Sequence, residues 1–277
     1  MTDARSLLEP TIVDVAVDSD NQDVRKLTKD NIAGLRISKP ADEGIINMLI
    51  YGEPGVGKTR LAGSASAVEE MSPVLVWDFE GGTLSLAQDY PDVEVARVTS
   101  WTAVDKLYGA LYNNNPYKTI ILDSLSEIQK FSMAQIMKDV VAKDSSRDPD
   151  IASVREWGKN GEQMRRLVRA LRDLPCNTIF TALSREEKDE HSGMTKIRPA
   201  LPGQMKGEVA GYVDIVAYMY KKEVRTGGER EMKTLLLTQG TERQVAKDRS
   251  GQLPPLMEAP TMKDIYEHIK GVRTNAH

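Results

Sequence analysis

One cysteine, Cys176, stands in 277 residues, so no disulfide can form within the chain. No apolar run reaches about 18 residues, which excludes a membrane-crossing helix, and no apolar leader follows Met1. The expected location is the cytoplasm. The three histidines, at 191, 268 and 277, have no metal-ligand spacing with one another or with Cys176, and no Ser/His/Asp signature is present. An excess of one charge is also lacking: a net charge of −4 argues against a chain coated in basic side chains, although local basic patches remain. There is no internal repeat and no low-complexity tract.

What is present is 40% hydrophobic residues, enough for the core of one large α/β domain or two small ones. Residues 1–43 are mixed and polar, with a short strand candidate at Thr11 to Val17 and a linker-like stretch after it. From Ile45 short apolar runs alternate with amphipathic stretches of helix length. The expected strands are 45–51, 73–79, 93–98, 118–123, 177–183, 214–220 and 233–239, and the expected helices 58–70, 102–113, 125–142, 162–174 and 261–270. No good helix separates the last three strands, which predicts hairpins extending one edge of the sheet. The fold class is therefore α/β: a mostly parallel central sheet, antiparallel strands at the C-terminal edge and helices on both faces. The expected division is an extension over 1–43 and a single domain over 44–277.

The strongest chemical signal is GEPGVGKT, Gly52 to Thr59, which fits G-x-x-x-x-G-K-[ST] between a strand and a helix. By average residue frequencies the bare pattern arises in roughly one chain in a hundred of this length, and its flanking elements sharpen it. In such a loop glycines permit the turn, backbone N–H groups bind phosphate, Lys58 reaches the outer phosphates and Thr59 ligates Mg²⁺. The expected ATP contacts are Gly52, Glu53, Pro54, Gly55, Val56, Gly57, Lys58, Thr59 and the adjoining Arg60. The alternative is a merely structural glycine turn.

A P-loop needs a second Mg²⁺ partner, and Asp123 ends the apolar strand of KTIILDS. The competing reading of Asp123 and Ser124 is a helix N-cap. Many P-loop ATPases carry a glutamate directly after this aspartate, but here the position is Ser124, so the group that activates water must come from elsewhere. Glu127, inside the next helix, is expected to face solvent. Glu80 follows the strand of VLVWDFEGG, and if that strand neighbours the P-loop strand its carboxylate reaches the γ-phosphate side. Glu80 is thus the candidate base. Asp78 is expected to hydrogen-bond within the turn, and Gly81 and Gly82 to let the chain leave the strand.

A P-loop strand, a second strand ending in D-x-E-G and a third ending in D-S resemble the RecA family of recombinases over about Ile45 to Pro255. The resemblance implies a RecA-like P-loop NTPase core in which the glutamate matching Glu80 is the base for ATP hydrolysis. In QVAKDRSGQLPP it also implies that Lys247 and Arg249 act in trans on a neighbouring subunit's nucleotide; an exposed strand with solvated charges is the plainer alternative. The short chain is most similar to phage-encoded, core-only RecA-like ATPases associated with recombination and single-strand annealing. INMLIYGEPGVGKT, REWGKNGEQMRRLVRALRDLP and IRPALPGQMKGEVAGYVDIVAYM carry that likeness. One departure is Leu183, where relatives usually place a polar sensor; the polar neighbours are Thr181 and Ser184.

The function so implied is a DNA-dependent ATPase of the RecA type in phage DNA recombination, with ATP and Mg²⁺ as cofactors, located in the host cytoplasm. Its partners would be single-stranded DNA and further copies of itself, in a ring or filament with ATP between subunits, together with a single-stranded-DNA-binding protein or an annealase. DNA contact is expected from the polar loop 184–208, through Arg185, Lys188, Lys196, Arg198 and Lys206. Glu186, Glu187, Asp189 and Glu190 dilute that charge, and no aromatic is interleaved for base stacking. Arg165, Arg169 and Arg172 lie off the apolar stripe of their helix and read as solvated. Three rival readings are a helicase-like motor or Mg²⁺-dependent nuclease on the same core, a nucleotide-gated DNA-binding module with little turnover, and a small-molecule kinase.

Overall fold

Apolar runs bounded by turn residues become the central strands, and among the described residues ten strands join in one mixed sheet. The structure, a computed structural model, describes residues 31–32, 35–36, 44–188, 193–226 and 229–271. In chain order, β1 (Asn31–Ile32) and β2 (Leu35–Arg36) pair with each other alone. There follow β3 (Asn47–Gly52), α1 (Lys58–Gly63), β4 (Val74–Asp78), α2 (Leu84–Asp89), β5 (Glu94–Arg97) and α3 (Trp101–Asn113). Next come β6 (Thr119–Asp123), α4 (Leu125–Lys143), α5 (Val154–Arg172), β7 (Asn177–Lys188), β8 (Thr195–Pro199) and α6 (Met205–Tyr212). The chain then continues through β9 (Ile215–Thr226), β10 (Glu229–Leu237), β11 (Lys247–Asp248), β12 (Leu256–Glu258) and α7 (Met262–Lys270).

The sheet order is β12-β10-β9-β3-β7-β6-β4-β5. β3 lies parallel between β7 and β9, while β10 and β12 form an antiparallel edge. Alternation along the strands builds a layer on each face. Leu49, Tyr51, Trp77, Leu122 and Phe180 pack against α3, α4, α5 and α6. Met48, Ile50, Val76, Ile121 and Ile179 turn to the other face, beneath α1 and α7. Each large aliphatic or aromatic side chain so buried contributes about 1.5–3 kcal/mol. The three layers bring the C-terminal ends of β3, β4, β6 and β7 to one rim, where the loops carrying chemistry emerge.

The fold class holds, with local corrections. The strand expected at 177–183 is not part of an edge hairpin; it is the central β7, parallel to both β3 and β6. Only β9 and β10 make the expected hairpin. α6 intervenes, and its segment MKGEVAGY has too weak an apolar stripe and too many glycines to read as a helix from sequence. α5 begins at Val154 rather than 162 because Ser153 and Glu156 form a capping box that outweighs Gly158 and Gly161. The helix expected over 58–70 ends at Gly63 and continues as two 3-10 turns to Met71.

Within the loop expected over 184–208, residues 184–188, 195–199 and 205–208 are instead in regular elements. β7 runs on to Lys188 and pairs with β8 in an antiparallel ladder. The expected extension over 1–43 lies outside the described residues apart from β1 and β2.

Candidate nucleotide site

The turn from β3 into α1 can pass this close to β9 only because residue 52 is glycine: a Cβ there would stand 2.1 Å from the Met219 carbonyl oxygen. Lys58, the first residue of α1, folds back over the loop and donates to the carbonyls of Gly52 at 3.1 Å and Glu53 at 2.8 Å. Burial pushes its pKa below the ordinary lysine value, and the negative charges of Asp123 and Glu80 partly oppose that shift. One residue on, the Thr59 hydroxyl donates to Asp123 Oδ2 at 2.6 Å, joining the P-loop helix to the end of β6. The other carboxylate oxygen, Oδ1, accepts from the Thr181 hydroxyl on β7.

The acids ending β4 have different surroundings. Asp78 is buried, and its Oδ1 accepts the backbone N–H groups of Glu80 at 3.1 Å and Gly81 at 2.7 Å. Its Oδ2 takes an ion pair from Arg97 at 2.7 Å. Gly81 has φ 79°, and a Cβ there would lie 2.7 Å from Arg97 Nη1. Asp78 therefore shapes the turn, and the turn aims Glu80. The Glu80 carboxylate accepts the Ser124 hydroxyl through Oε1. β4 does not neighbour the P-loop strand: β7 and β6 stand between them. Glu80 reaches the site because β4 pairs with β6 in a register that sets Asp78 opposite Asp123.

These groups face one cleft of about 630 Å³, lined among others by Gly55, Lys58, Thr59, Glu80, Asp123 and Glu127. Glu127, expected to face solvent, contributes to this lining while paired with Lys130 at 2.6 Å. Leu183, the apolar residue noted in the sequence, also lines the cleft. On the far side of α1 is a second hollow of about 310 Å³, bordered by Gly57, Arg60, Ser64, Tyr90 and Pro260. Thr59 and Asp123 offer adjacent hydroxyl and carboxylate oxygens, a donor set that fits Mg²⁺. No cluster of three or more His, Cys, Asp or Glu side chains suited to a metal occurs among the described residues.

Other expected site residues lie apart from this cleft. Lys247 donates to the carbonyls of Ala210 and Val213, and Arg249 pairs with Asp214 at 2.8 Å and donates to the Gly211 carbonyl at 3.3 Å. Both thus cap the C-terminal end of α6 in their own chain. Their strand β11 pairs with the beginning of β9, at the end of the sheet opposite the P-loop.

Of the expected DNA cations, Arg185 and Lys188 are exposed on β7, and Lys196 and Arg198 follow on β8, with Arg185 directly opposite Arg198. Lys206 stands on α6, its ammonium 2.6 Å from Glu187. The arginines of α5 are not simply solvated: Arg165 grips Glu208 at 2.5 Å, and Arg169 lies over the Tyr212 ring at 4.6 Å.

Some participants carried little sequence signal. Thr181 and Ser124 were visible as polar residues at strand ends, but only sheet register shows which acid each one touches. Arg97, Tyr90 and Pro260 had no motif at all.

A model of the family described as AAA domain matches residues 45–250, most of the chain, so the chain belongs to that family. Among solved structures it is similar to the RadB recombinase, with 13% identity and a TM-score of 0.40 over 69% of this chain and 79% of that one. Comparison with curated proteins finds no match.

Proposed function

We propose that this member of the AAA domain family is a Mg²⁺-dependent, RecA-type ATPase that is stimulated by single-stranded DNA and assembles on it in phage recombination or strand annealing. The observation that carries the reading is the convergence of Lys58, the Thr59–Asp123 pair and Glu80 on one cleft. In this reading residues 44–277 are the ATPase domain.

The P-loop N–H groups from Gly52 to Thr59 cradle phosphate at the start of α1, and Lys58 leaves its carbonyl partners to meet the outer phosphates. Thr59 and Asp123 would hold Mg²⁺, which would neutralise charge on the phosphates. Thr181 keeps the Asp123 carboxylate oriented. Glu80, with Oε1 on Ser124, leaves Oε2 to orient a water for attack on the terminal phosphorus. The hollow beside Tyr90 and Pro260 is placed to take the nucleotide base, next to Arg60.

Two further parts of the reading rest on the RecA-like motif order. Arg249, with its side chain 57% exposed, and Lys247 are the cations for a neighbour's nucleotide, and assembly would have to draw them off α6. The cations of the β7–β8 hairpin, with Lys206, would follow a phosphate backbone, giving a contact that depends on salt and little on sequence.

The test is ATP turnover with and without single-stranded DNA of mixed sequence, at low and high salt, alongside sedimentation of the DNA complex. Turnover that rises with DNA and falls back with salt, and large complexes that require ATP, are expected. Turnover at background under every condition, or phosphoryl transfer to a small molecule without DNA, would overturn the reading.

A further inference from the structure

The position after Asp123 is the one at which many P-loop ATPases carry the water-activating glutamate, and here it is filled by a serine that touches a glutamate from the turn after β4. We infer that Ser124 is a positioning residue for the hydrolytic step: its hydroxyl holds the Glu80 carboxylate toward the cleft. This rests on the ATPase reading above, with Glu80 as the base.

Three observations carry it. Ser124 is 1% exposed and Glu80 is exposed, so the hydroxyl is a fixed point and the carboxylate the movable group. The backbone leading to Glu80 is already pinned, because Asp78 holds the Glu80 and Gly81 N–H groups and pairs with Arg97. What remains free is the Glu80 side chain, and its Oε1 accepts the Ser124 hydroxyl.

The third observation concerns the direction of the proton. Ser124 is the N-cap of α4, its Oγ accepting the Glu127 N–H at 3.3 Å. A serine hydroxyl has one hydrogen and two lone pairs. With a lone pair committed to the cap, the hydrogen is left to point away from the helix, where Glu80 stands. The cap thus orients the donor, and the start of a 19-residue helix adds a favourable field for a carboxylate. A cap alone would need no glutamate beside it.

The experiment measures ATP turnover and nucleotide affinity for wild type, Ser124→Ala, Ser124→Thr, Glu80→Gln and the double variant Ser124→Ala/Glu80→Gln. Ser124→Ala should lower kcat about 10- to 100-fold, as expected for losing a hydrogen bond to a charged group, with KM for ATP little changed. In the Glu80→Gln background the same substitution should have almost no further effect, because the hydroxyl acts through the carboxylate. Ser124→Thr, which keeps the hydroxyl, should recover most of the rate.

Should Ser124→Ala fail to fold, Ser124→Gly replaces it, since glycine is a tolerable N-cap that also lacks the hydroxyl. A wild-type kcat in Ser124→Ala or Ser124→Gly while Glu80→Gln is inactive would overturn the inference alone. An equal loss in both backgrounds would likewise reduce Ser124 to a structural cap. Near-normal turnover in Glu80→Gln would instead overturn the base assignment on which the inference stands.

Discussion

Replacing Gly81 by alanine perturbs the turn that carries Glu80 without touching the P-loop. Gly81 has φ 79°, where an alanine Cβ costs about 1–2 kcal/mol. The new Cβ would also sit 2.7 Å from Arg97 Nη1. Arg97 is flexible and its side chain 51% exposed, so moving it is cheap in itself, but the movement breaks its ion pair with Asp78, whose side chain is only 4% exposed. Asp78 keeps its two backbone donors, so losing the half-exposed partner adds about 1 kcal/mol. The sum is roughly 2–3 kcal/mol, which for a domain of this size lowers Tm by on the order of 5 °C.

Turnover should fall as well, because Glu80 adjoins the displaced turn, while nucleotide affinity, set by the P-loop, should hold. Gly82→Ala is the internal control: a Cβ there meets nothing within 4 Å and the backbone is not left-handed, so its Tm should match wild type. Thermal denaturation with ATP titration measures both effects. Equal Tm values for Gly81→Ala and Gly82→Ala would refute the account of the turn.

Lys58→Met should abolish the thermal shift produced by Mg²⁺-ATP. Because burial holds the folded-state Lys58 pKa below 10.5, the unfolded chain binds more protons between those two values. Apo wild-type stability should therefore gain with rising pH through that window relative to Lys58→Met; parallel pH–stability curves would contradict this. Thr181→Val keeps the volume but removes the donor to Asp123, and should raise the Mg²⁺ concentration for half-maximal turnover about tenfold. An unchanged Mg²⁺ titration would show that Thr181 does not orient the aspartate. Tyr51→Phe removes a buried hydroxyl that donates to the Val245 carbonyl at 2.7 Å and lies 3.2 Å from that of Ile197, at a cost of about 1–2 kcal/mol in chemical denaturation. No loss of stability would show that this tie is unimportant.

The central strands β3, β4, β6 and the first half of β7 were legible because each is a short apolar run that the sheet buries on both faces, and the P-loop because its glycines and lysine have fixed spacing. Pairing was not legible, since the strand at 177–183 and the strand at 214–220 have similar composition. Only the packed sheet shows that the first is central and the second joins the antiparallel edge. The same limit applies at the site. Glu80 could be singled out from the vacancy that Ser124 leaves after Asp123, but the reason offered, adjacency of β4 to β3, does not hold. The register of β4 on β6 supplies the contact instead, and register is a long-range property. The ladder of β7 on β8 was hidden for a related reason: the consecutive charged residues Arg185 to Lys188 read as a loop until their partner strand is known. Contacts such as Arg165 with Glu208 and Lys247 with the end of α6 join residues far apart in the chain and leave no local pattern.

The most direct test is the rate of ATP hydrolysis by Glu80→Gln with saturating single-stranded DNA, measured beside its affinity for Mg²⁺-ATP. The substitution keeps the size of the side chain and removes the charge that would orient water, while the P-loop contacts are untouched. A loss of about 100-fold or more in turnover with nucleotide affinity retained is the predicted result. Turnover within a fewfold of wild type would contradict the account and move the base elsewhere on the cleft, with Glu127 the next group to test.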